Sequence, residues 1–334
     1  MGVILVTGGM GFIGSNFIHY WKQHHPQDHL INVDLLTYAG NKGNVASLVG
    51  QAGYQFVQGD IGNEALMSQL MQQGVDVVVH FAAESHVDRS IHSPRDFVMT
   101  NVLGTQSLLE AAKRNQVKKF VHVSTDEVYG TLGIDGAFTE MTPIAPNSPY
   151  SASKAGSDLI VRAYYETYGF PAIITRCSNN YGPRQFPEKL IPLIITRALR
   201  DEPIPIYGDG LHVRDWLYVD DHCSAIDRVI QDGVPGQVYN IGGHQERTNV
   251  DVVKSILKAI NKPDELIHFV PDRLGHDRRY AIDSSKIARE LGWAPSYTFE
   301  TGIQKTIDWY VQEQVWCERI ANGSYRDDTE ADRS

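Results

Sequence analysis

Short apolar runs and longer amphipathic stretches alternate through the first half of the chain. Val3–Val6 is a short apolar run, and Gly14–His24 continues from it with helical periodicity. Leu30–Val33 is a second run, Phe56–Val57 lies in a third that ends near Asp60, Val75–Phe81 (VDVVVHF) is a fourth and Phe120–Val123 a fifth. Between them, Glu64–Gln73 and Thr105–Asn115 read as helices. Ser153–Tyr168 reads as a long helix stopped by Gly169 and Pro171, and Ala172–Thr175 as a sixth strand. Strand, helix and strand at this rhythm predict a parallel sheet with helices on both faces. Near-continuous apolar strands agree, because both faces of such a sheet are covered.

After Arg176 the rhythm breaks at Pro183, Pro187, Pro192, Pro203 and Pro205. A smaller, mixed, less regular second domain is expected from there. Leu217–Ile230 and Val238–Ile241 read as a return to the first sheet, Val250–Ile260 and Ser284–Glu290 as helices of the second domain, and Thr301–Gln314 as a late amphipathic helix. The expected organisation is a first domain over 1–176 with 217–245 returning to it, a second over 177–216 and 246–321, and a polar, frayed or disordered tail over 322–334. The 334 residues suit about two domains.

A net charge of −10 disfavours a nucleic-acid binder acting through bulk charge, which needs a basic surface. It leaves room for a small phosphorylated ligand held by a few arginines. Cys177, Cys223 and Cys317 are far apart and have no metal or redox spacing, so each is expected to be a reduced, ordinary residue. The N-terminus lacks the basic segment and long apolar stretch of a signal peptide, and no apolar run is long enough to span a membrane. A cytoplasmic protein is expected.

The first chemistry lies directly after the first strand. Gly8, Gly9, Gly11 and Gly14 satisfy G-x-G-x-x-G read from Gly9 and G-x-x-G-x-x-G read from Gly8. Such glycines permit a tight turn, close approach of a pyrophosphate and close packing of helix on strand. The following helix, entered through Phe12 and Ile13, would offer unpaired N–H groups to the phosphates. Asp34 ends the second strand, 20 residues beyond Gly14, where a carboxylate accepts hydrogen bonds from ribose hydroxyls and repels a 2′-phosphate. No arginine follows at once (DLLTYAG), which favours NAD over NADP. Asp60, followed by Ile61, would hydrogen-bond the adenine amine or serve as a turn aspartate, and the small Ala82 and Ala83 would let a cofactor lie across the sheet. A Rossmann-type doubly wound α/β sheet follows.

Tyr150 and Lys154 form Y-x-x-x-K near the start of the long helix, on one helical face. A lysine ammonium beside a phenol would lower the tyrosine pKa and make it a base. Thr125, just past the fifth strand, would orient a substrate oxygen. Asp126 and Glu127 beside it are either loop charges or a pair that divides acid and base roles between a neutral and an ionised carboxyl. His80, His86 and His92 are unlike a zinc site, and no metal is expected.

The strings VTGGMGFIGSNF, HFAAESHVDRSI, VSTDEVYG, SPYSASKAGSD, TRCSNNYGPRQFPEKLIP, PIYGDGLHVRDWLYVDDH and DRLGHDRRYAID resemble those of the dTDP-glucose 4,6-dehydratase family, extended short-chain dehydrogenases/reductases that act on nucleotide sugars. The resemblance runs over about residues 2–315. It implies oxidation at sugar C4, elimination of water across C5–C6 and hydride return to C6, with NAD regenerated each cycle. Tyr150 would take the 4-hydroxyl proton, Thr125 would hold that oxygen, Glu127 would remove the C5 proton and Asp126 would protonate the departing C6 hydroxyl. Lys154 would hold the nicotinamide ribose. Arg214, Arg273 and Asn249 resemble diphosphate contacts, with His276 and Tyr280 nearby. Pro205 and Tyr207 resemble the wall for the base. Ser85, His86, Asn179, Glu188, Lys189 and Leu190 resemble residues around the sugar and its nucleotide link. A homodimer built on the Thr105–Asn115 and Ser153–Tyr168 helices is implied too. The same chemistry on UDP-glucose or another nucleotide sugar, a nucleotide-sugar epimerase or decarboxylase, and a non-enzymatic NAD-binding regulator are the competing readings.

Overall fold

The computed structural model describes residues 2–272 and 274–327. Its centre is a seven-stranded sheet built from β1 (Val3–Thr7), β2 (His29–Asp34), β3 (Tyr54–Gln58), β4 (Val77–His80), β5 (Lys119–Thr125) and β6 (Ala172–Cys177), to which a later strand is added. Three short strands follow in the chain: β7 (Asn179–Tyr181), β8 (Ile204–Tyr207) and β9 (Val213–Tyr218). The last three are β10 (Val238–Ile241), β11 (Glu246–Thr248) and β12 (Ile267–Val270). The large sheet has the order β10-β6-β5-β4-β1-β2-β3, and every pair in it is parallel.

Its alternating side chains feed two cores. Ile4, Val6, Val79 and Val121 pack with Phe17, Ile18 and Trp21 of the Phe12–His24 helix. Leu5, Val78 and Phe120 pack on the other face with Leu108, Leu109 and Val161. Each fully buried aliphatic side chain of this kind contributes about 1.5–3 kcal/mol, so both faces favour one register. The order runs outward from β1 through β2 and β3 on one side and through β4, β5 and β6 on the other. The crevice at that reversal, beyond the carboxyl ends of the strands, is where such sheets take ligands.

The second half is less regular. β11, β9 and β7 form a three-stranded sheet with one antiparallel and one parallel pair, and β12 pairs with β8 in parallel. Leu217 therefore belongs to β9 and not to the large sheet. The Val219–Asp232 helix does pack on the first core, and β10 pairs with β6. Proline at position 205 is tolerated because β8 lies in a two-stranded sheet.

Three local expectations need correction. The long helix begins at Pro149, not Ser153: Ser148 and Ser151 cap it reciprocally and Pro149 occupies its first turn. Ahead of Thr105, the chain already winds as a wide i→i+5 turn over Val98–Gly104. The polar tail is ordered at its start, because Tyr325 is buried and its hydroxyl donates to the Tyr38 carbonyl at 2.6 Å; residues 328–334 lie outside the described residues. Among the described residues, no helix is long and apolar enough to cross a membrane.

Candidate active site

The turn after β1 is built by contact distances. Gly8 has φ +73°, and a Cβ there would lie 2.6 Å from the Ala82 nitrogen at the end of β4. A Cβ on Gly14 would lie 2.3 Å from the Gly8 carbonyl oxygen. Only glycine lets turn, helix and neighbouring strand close together here. Gly11 precedes the Phe12–His24 helix without a side-chain cap, so the helix keeps its first N–H groups for another acceptor. Asp34 accepts hydrogen bonds from the Met10 N–H at 2.9 Å and the Leu36 N–H at 2.8 Å. Burial pushes its carboxyl up, and these two donors oppose the shift. Asp60 is exposed and accepts from the Gly62 N–H at 2.8 Å, so it makes the turn expected of an ordinary loop aspartate while still facing the crevice.

These residues line a cavity of about 590 Å³, a volume in the range of small-molecule and cofactor sites. Gly8, Gly11, Phe12, Ile13, Gly14, Asp34, Asp60, Ile61 and Ala82 form one end of it. Ser85, Thr125, Glu127, Tyr150, Lys154, Asn179, Glu188 and Lys189 line the rest.

The capping at Ser148 places Tyr150 in the first turn of its helix, one turn before Lys154. The Lys154 ammonium donates to the Val123 carbonyl at 2.8 Å, tying the helix to β5. Burial lowers its pKa and Asp158, one turn further on, opposes that. Burial pushes Tyr150 well above the usual phenol range, Glu127, Cys177 and Asp126 add to the shift, and a hydrogen bond with Thr125 counters it.

The adjacent acids differ in setting. Asp126 is 2% exposed, its Oδ2 has no hydrogen-bond partner, and burial together with Glu127 and Asp215 pushes its carboxyl well above the ordinary range, against the opposing pull of Arg214. Glu127 is half-buried and lines the cavity, whereas Asp126 lies behind that wall. Thr125 joins them, accepting from the Glu127 N–H at 3.2 Å and donating to Asp126 Oδ1 at 3.3 Å. A carboxyl held neutral beside a second one at a cavity wall can donate a proton where the other accepts one.

At the far side, Lys189 donates to the Ser85 carbonyl at 3.1 Å, and His86 faces Glu188 at 3.3 Å. Asn179 Oδ1 is buried without a hydrogen-bond partner. Leu190 opens the Leu190–Leu199 helix behind this group. The remaining residues form a second cluster outside the cavity wall. The Arg214 guanidinium lies 4.3 Å over the Tyr280 ring and donates to the Asp277 carbonyl at 2.9 Å, and Tyr280 donates to the Asp277 carboxylate at 2.6 Å. Asn249 opens a helix with its buried Oδ1 unpartnered, and its N–H donates to the His212 carbonyl at 3.0 Å. Pro205 and Tyr207 stand on β8, the Tyr207 ring 6.3 Å from that of His276. Arg273 lies outside the described residues.

One histidine cluster escaped the sequence because its members are distant. His212 and His276 stack at 3.7 Å, and the Asp272 carboxylate bridges them at 3.3 and 2.6 Å. One side-chain ligand atom of each lies within 4.8 Å of the other two, a grouping of the kind that can hold a metal ion. Other wall residues were missed as well. Tyr38 was available in DLLTYAG, four residues after Asp34, and Cys177 in its place at the end of β6, where burial pushes its thiol up to about 12. Met99, Thr100 and Leu103 come from the wide turn and carry no periodic signal.

A family model described as GDP-mannose 4,6 dehydratase matches residues 5–306. A dTDP-glucose 4,6-dehydratase of Xanthomonas campestris pv. campestris (strain B100) is 54% identical over 345 aligned positions covering 98% of each chain. A dTDP-glucose 4,6-dehydratase from Bacillus anthracis, solved in complex with NAD, superposes with a TM-score of 0.91 at 52% identity, covering 96% of this chain and 100% of that one. The Streptomyces venezuelae dTDP-glucose 4,6-dehydratase DesIV, solved with NAD and TYD bound, gives 0.92 at 48% identity over 95% and 99% of the two chains. The glycine turn, the paired acids behind Thr125 and the Tyr150–Lys154 turn thus sit in a chain that belongs to the dTDP-glucose 4,6-dehydratase family, within the extended short-chain dehydrogenases/reductases.

Proposed function

We propose that this protein is an NAD-dependent dTDP-glucose 4,6-dehydratase, converting dTDP-glucose to dTDP-4-keto-6-deoxyglucose and water. The observation that carries the reading is the placement of Tyr150, Glu127 and Thr125 on one cavity wall with the buried, neutral-leaning Asp126 immediately behind. A hydroxyl oxidation needs one base; a second acid–base pair is what an elimination adds. Incubation with dTDP-glucose and with UDP-glucose, followed by mass analysis, tests it. Loss of one water from the dTDP sugar is expected, and an isomer of unchanged mass would point to an epimerase.

Gly8, Gly11, Phe12, Ile13, Gly14, Asp34, Asp60, Ile61 and Ala82 would hold the dinucleotide, with Lys154 at its nicotinamide ribose. The uncapped helix start and the Cβ-free turn fit a pyrophosphate. Bound NAD would accept hydride from C4, return it to C6, and bring a positive ring charge into the cavity. Tyr150 takes the proton of the 4-hydroxyl, whose oxygen Thr125 holds. The resulting ketone acidifies C5–H, Glu127 removes that proton, Asp126 delivers one to the departing C6 hydroxyl, and a proton goes back to C5 as hydride reaches C6. Ser85, His86, Asn179, Glu188, Lys189 and Leu190 surround the sugar. Arg214, Asn249, His276 and Tyr280, with Arg273, take the diphosphate, and Pro205 and Tyr207 the base. The parts 1–176 with 217–245, and 177–216 with 246–321, act on this reading as cofactor and nucleotide-sugar domains.

Asp34→Ala is expected to weaken NAD about 10- to 100-fold, the scale of charge-assisted hydrogen bonds, and to narrow discrimination against NADP. Titration of both dinucleotides checks this; an unchanged preference would refute the assignment of Asp34.

The same reading includes a homodimer in the cytoplasm. Val98, Leu103 and Leu159 are 52%, 48% and 54% exposed on the wide turn before Thr105 and on the Pro149–Tyr168 helix, an apolar surface suited to the same helices of a second copy. All three cysteines are free, as in a reducing compartment. A dimeric mass at micromolar concentration is expected by light scattering; a monomeric one would refute the interface.

A further inference from the structure

The dinucleotide cavity is buttressed from outside by the far end of the chain. Three aromatic residues, Tyr310, Trp316 and Tyr325, are 0%, 9% and 4% exposed, and each reaches back to the cavity wall or to the loops that shape it. The Tyr310 hydroxyl donates to the Gln185 carbonyl. Gln185 and its neighbour Phe186 line the cavity, and Phe186 meets the Tyr325 ring edge-on at 5.9 Å. The Tyr325 hydroxyl donates at 2.6 Å to the carbonyl of Tyr38, itself a wall residue that meets Phe186 edge-on at 5.9 Å. The Trp316 indole N–H donates to Asn44 Oδ1 at 2.9 Å, the Asn44 amide donates to the Met10 carbonyl at 2.9 Å, and the Met10 N–H donates to Asp34 at 2.9 Å. These hydrogen bonds link the C-terminal helix to the glycine turn and to the carboxylate that ends β2. Such contacts are far from local: Trp316 and Asn44 are 272 residues apart, Tyr325 and Tyr38 287.

We propose that the segment from Tyr310 to Tyr325 is a clasp on the outer wall of the cavity, with Trp316 and Tyr325 as positioning residues that set how long NAD stays bound. The inference rests on the NAD reading of the cavity. It also follows from the redox balance of that reading. A cofactor returned to its oxidised form in every cycle gains nothing by leaving, so a wall closed by long-range contacts costs no turnover. The segment touches loops that frame the cavity, not the acids and phenol that react.

The test uses the full chain loaded with labelled NAD and chased with excess unlabelled NAD. Trp316→Phe combined with Tyr325→Phe removes one N–H and one O–H donor and keeps the aromatic packing. Release is expected to be at least about 10-fold faster, the scale of two hydrogen bonds, with kcat at saturating NAD within about twofold of the parent. Asn44→Asp keeps the acceptor for Trp316, removes the donor to Met10 and leaves the C-terminal packing intact; it too is expected to speed release. Release within about twofold of the parent in both variants, even with a lowered melting temperature, would reduce the segment to a purely structural role and overturn the clasp. A parent protein that takes up no NAD would instead overturn the cofactor reading on which the clasp rests.

Discussion

Glu127→Gln is expected to stop the reaction after oxidation at C4. The amide has almost the shape of the acid but cannot take the C5 proton, whereas the first half-reaction uses Tyr150 and Thr125 and stays intact. Reduced cofactor should therefore build up on the enzyme, visible by its absorbance, while turnover falls about 10²- to 10⁴-fold, the scale of a positioned general base. Exchange of the C5 hydrogen with solvent should fall in parallel. The structure sharpens this expectation, because Glu127 lines the cavity and Asp126 stands behind it. Asp126 is held toward its neutral form chiefly by burial, which Glu127→Gln leaves in place, so it is a poor substitute base. Product released at the parent rate would make the pair ordinary loop acids and return the assignment to an oxidoreductase or epimerase.

Tyr150→Phe is expected to give the opposite signature. Without the phenol, the 4-hydroxyl keeps its proton, and turnover should again fall about 10²- to 10⁴-fold, but with little reduced cofactor formed in a single-turnover absorbance trace. The two variants separate oxidation from elimination on the same substrate. Tyr150 needs help to act as a base, since burial and the nearby Glu127, Cys177 and Asp126 hold its pKa high. Its hydrogen bond with Thr125 is a favourable influence within the protein. If Tyr150→Phe accumulated reduced cofactor as Glu127→Gln does, the phenol would belong to the second half-reaction.

Five of the first six strands could be read from the chain because they are mostly buried and their apolar runs are continuous, whereas β3, half-buried at the sheet's edge, showed only Phe56–Val57. The Phe12–His24, Glu64–Met71, Thr105–Arg114 and Pro149–Tyr168 helices showed in their periodicity, and the shorter Lys42–Leu48, Val87–His92 and Pro94–Phe97 turns did not. The glycine turn and Asp34 could be read because spacing alone carries their geometry. Other parts were hidden for physical reasons. The wide turn over Val98–Gly104 differs from an α-helix only in its hydrogen-bond step, which leaves no mark on polarity. β7, β11 and β12 are three or four residues long and sit in small sheets, and β11 sets Glu246 opposite Asp215, so alternation has no room to show. The helix start at Pro149 was legible after all, in the serine–proline sequence ahead of Tyr150. Within the site, Tyr150, Lys154, Thr125 and Glu127 gather at the cavity as their motifs suggest, and the i,i+4 spacing fixes a helix face without showing that the ammonium also reaches the Val123 carbonyl. His212, Asp272 and His276 meet only through tertiary packing, and Tyr325 is masked by its polar neighbours.

The central claim is that one bound NAD carries a hydrogen from C4 to C6 while water is lost between C5 and C6. dTDP-glucose carrying deuterium at C4, converted in ordinary water and followed by NMR and mass spectrometry, tests it most directly. The account predicts a product one water lighter, with the deuterium at C6 and no net consumption of NAD. Deuterium lost to solvent, retained at C4 in a product of unchanged mass, or transferred stoichiometrically to released reduced cofactor would contradict it.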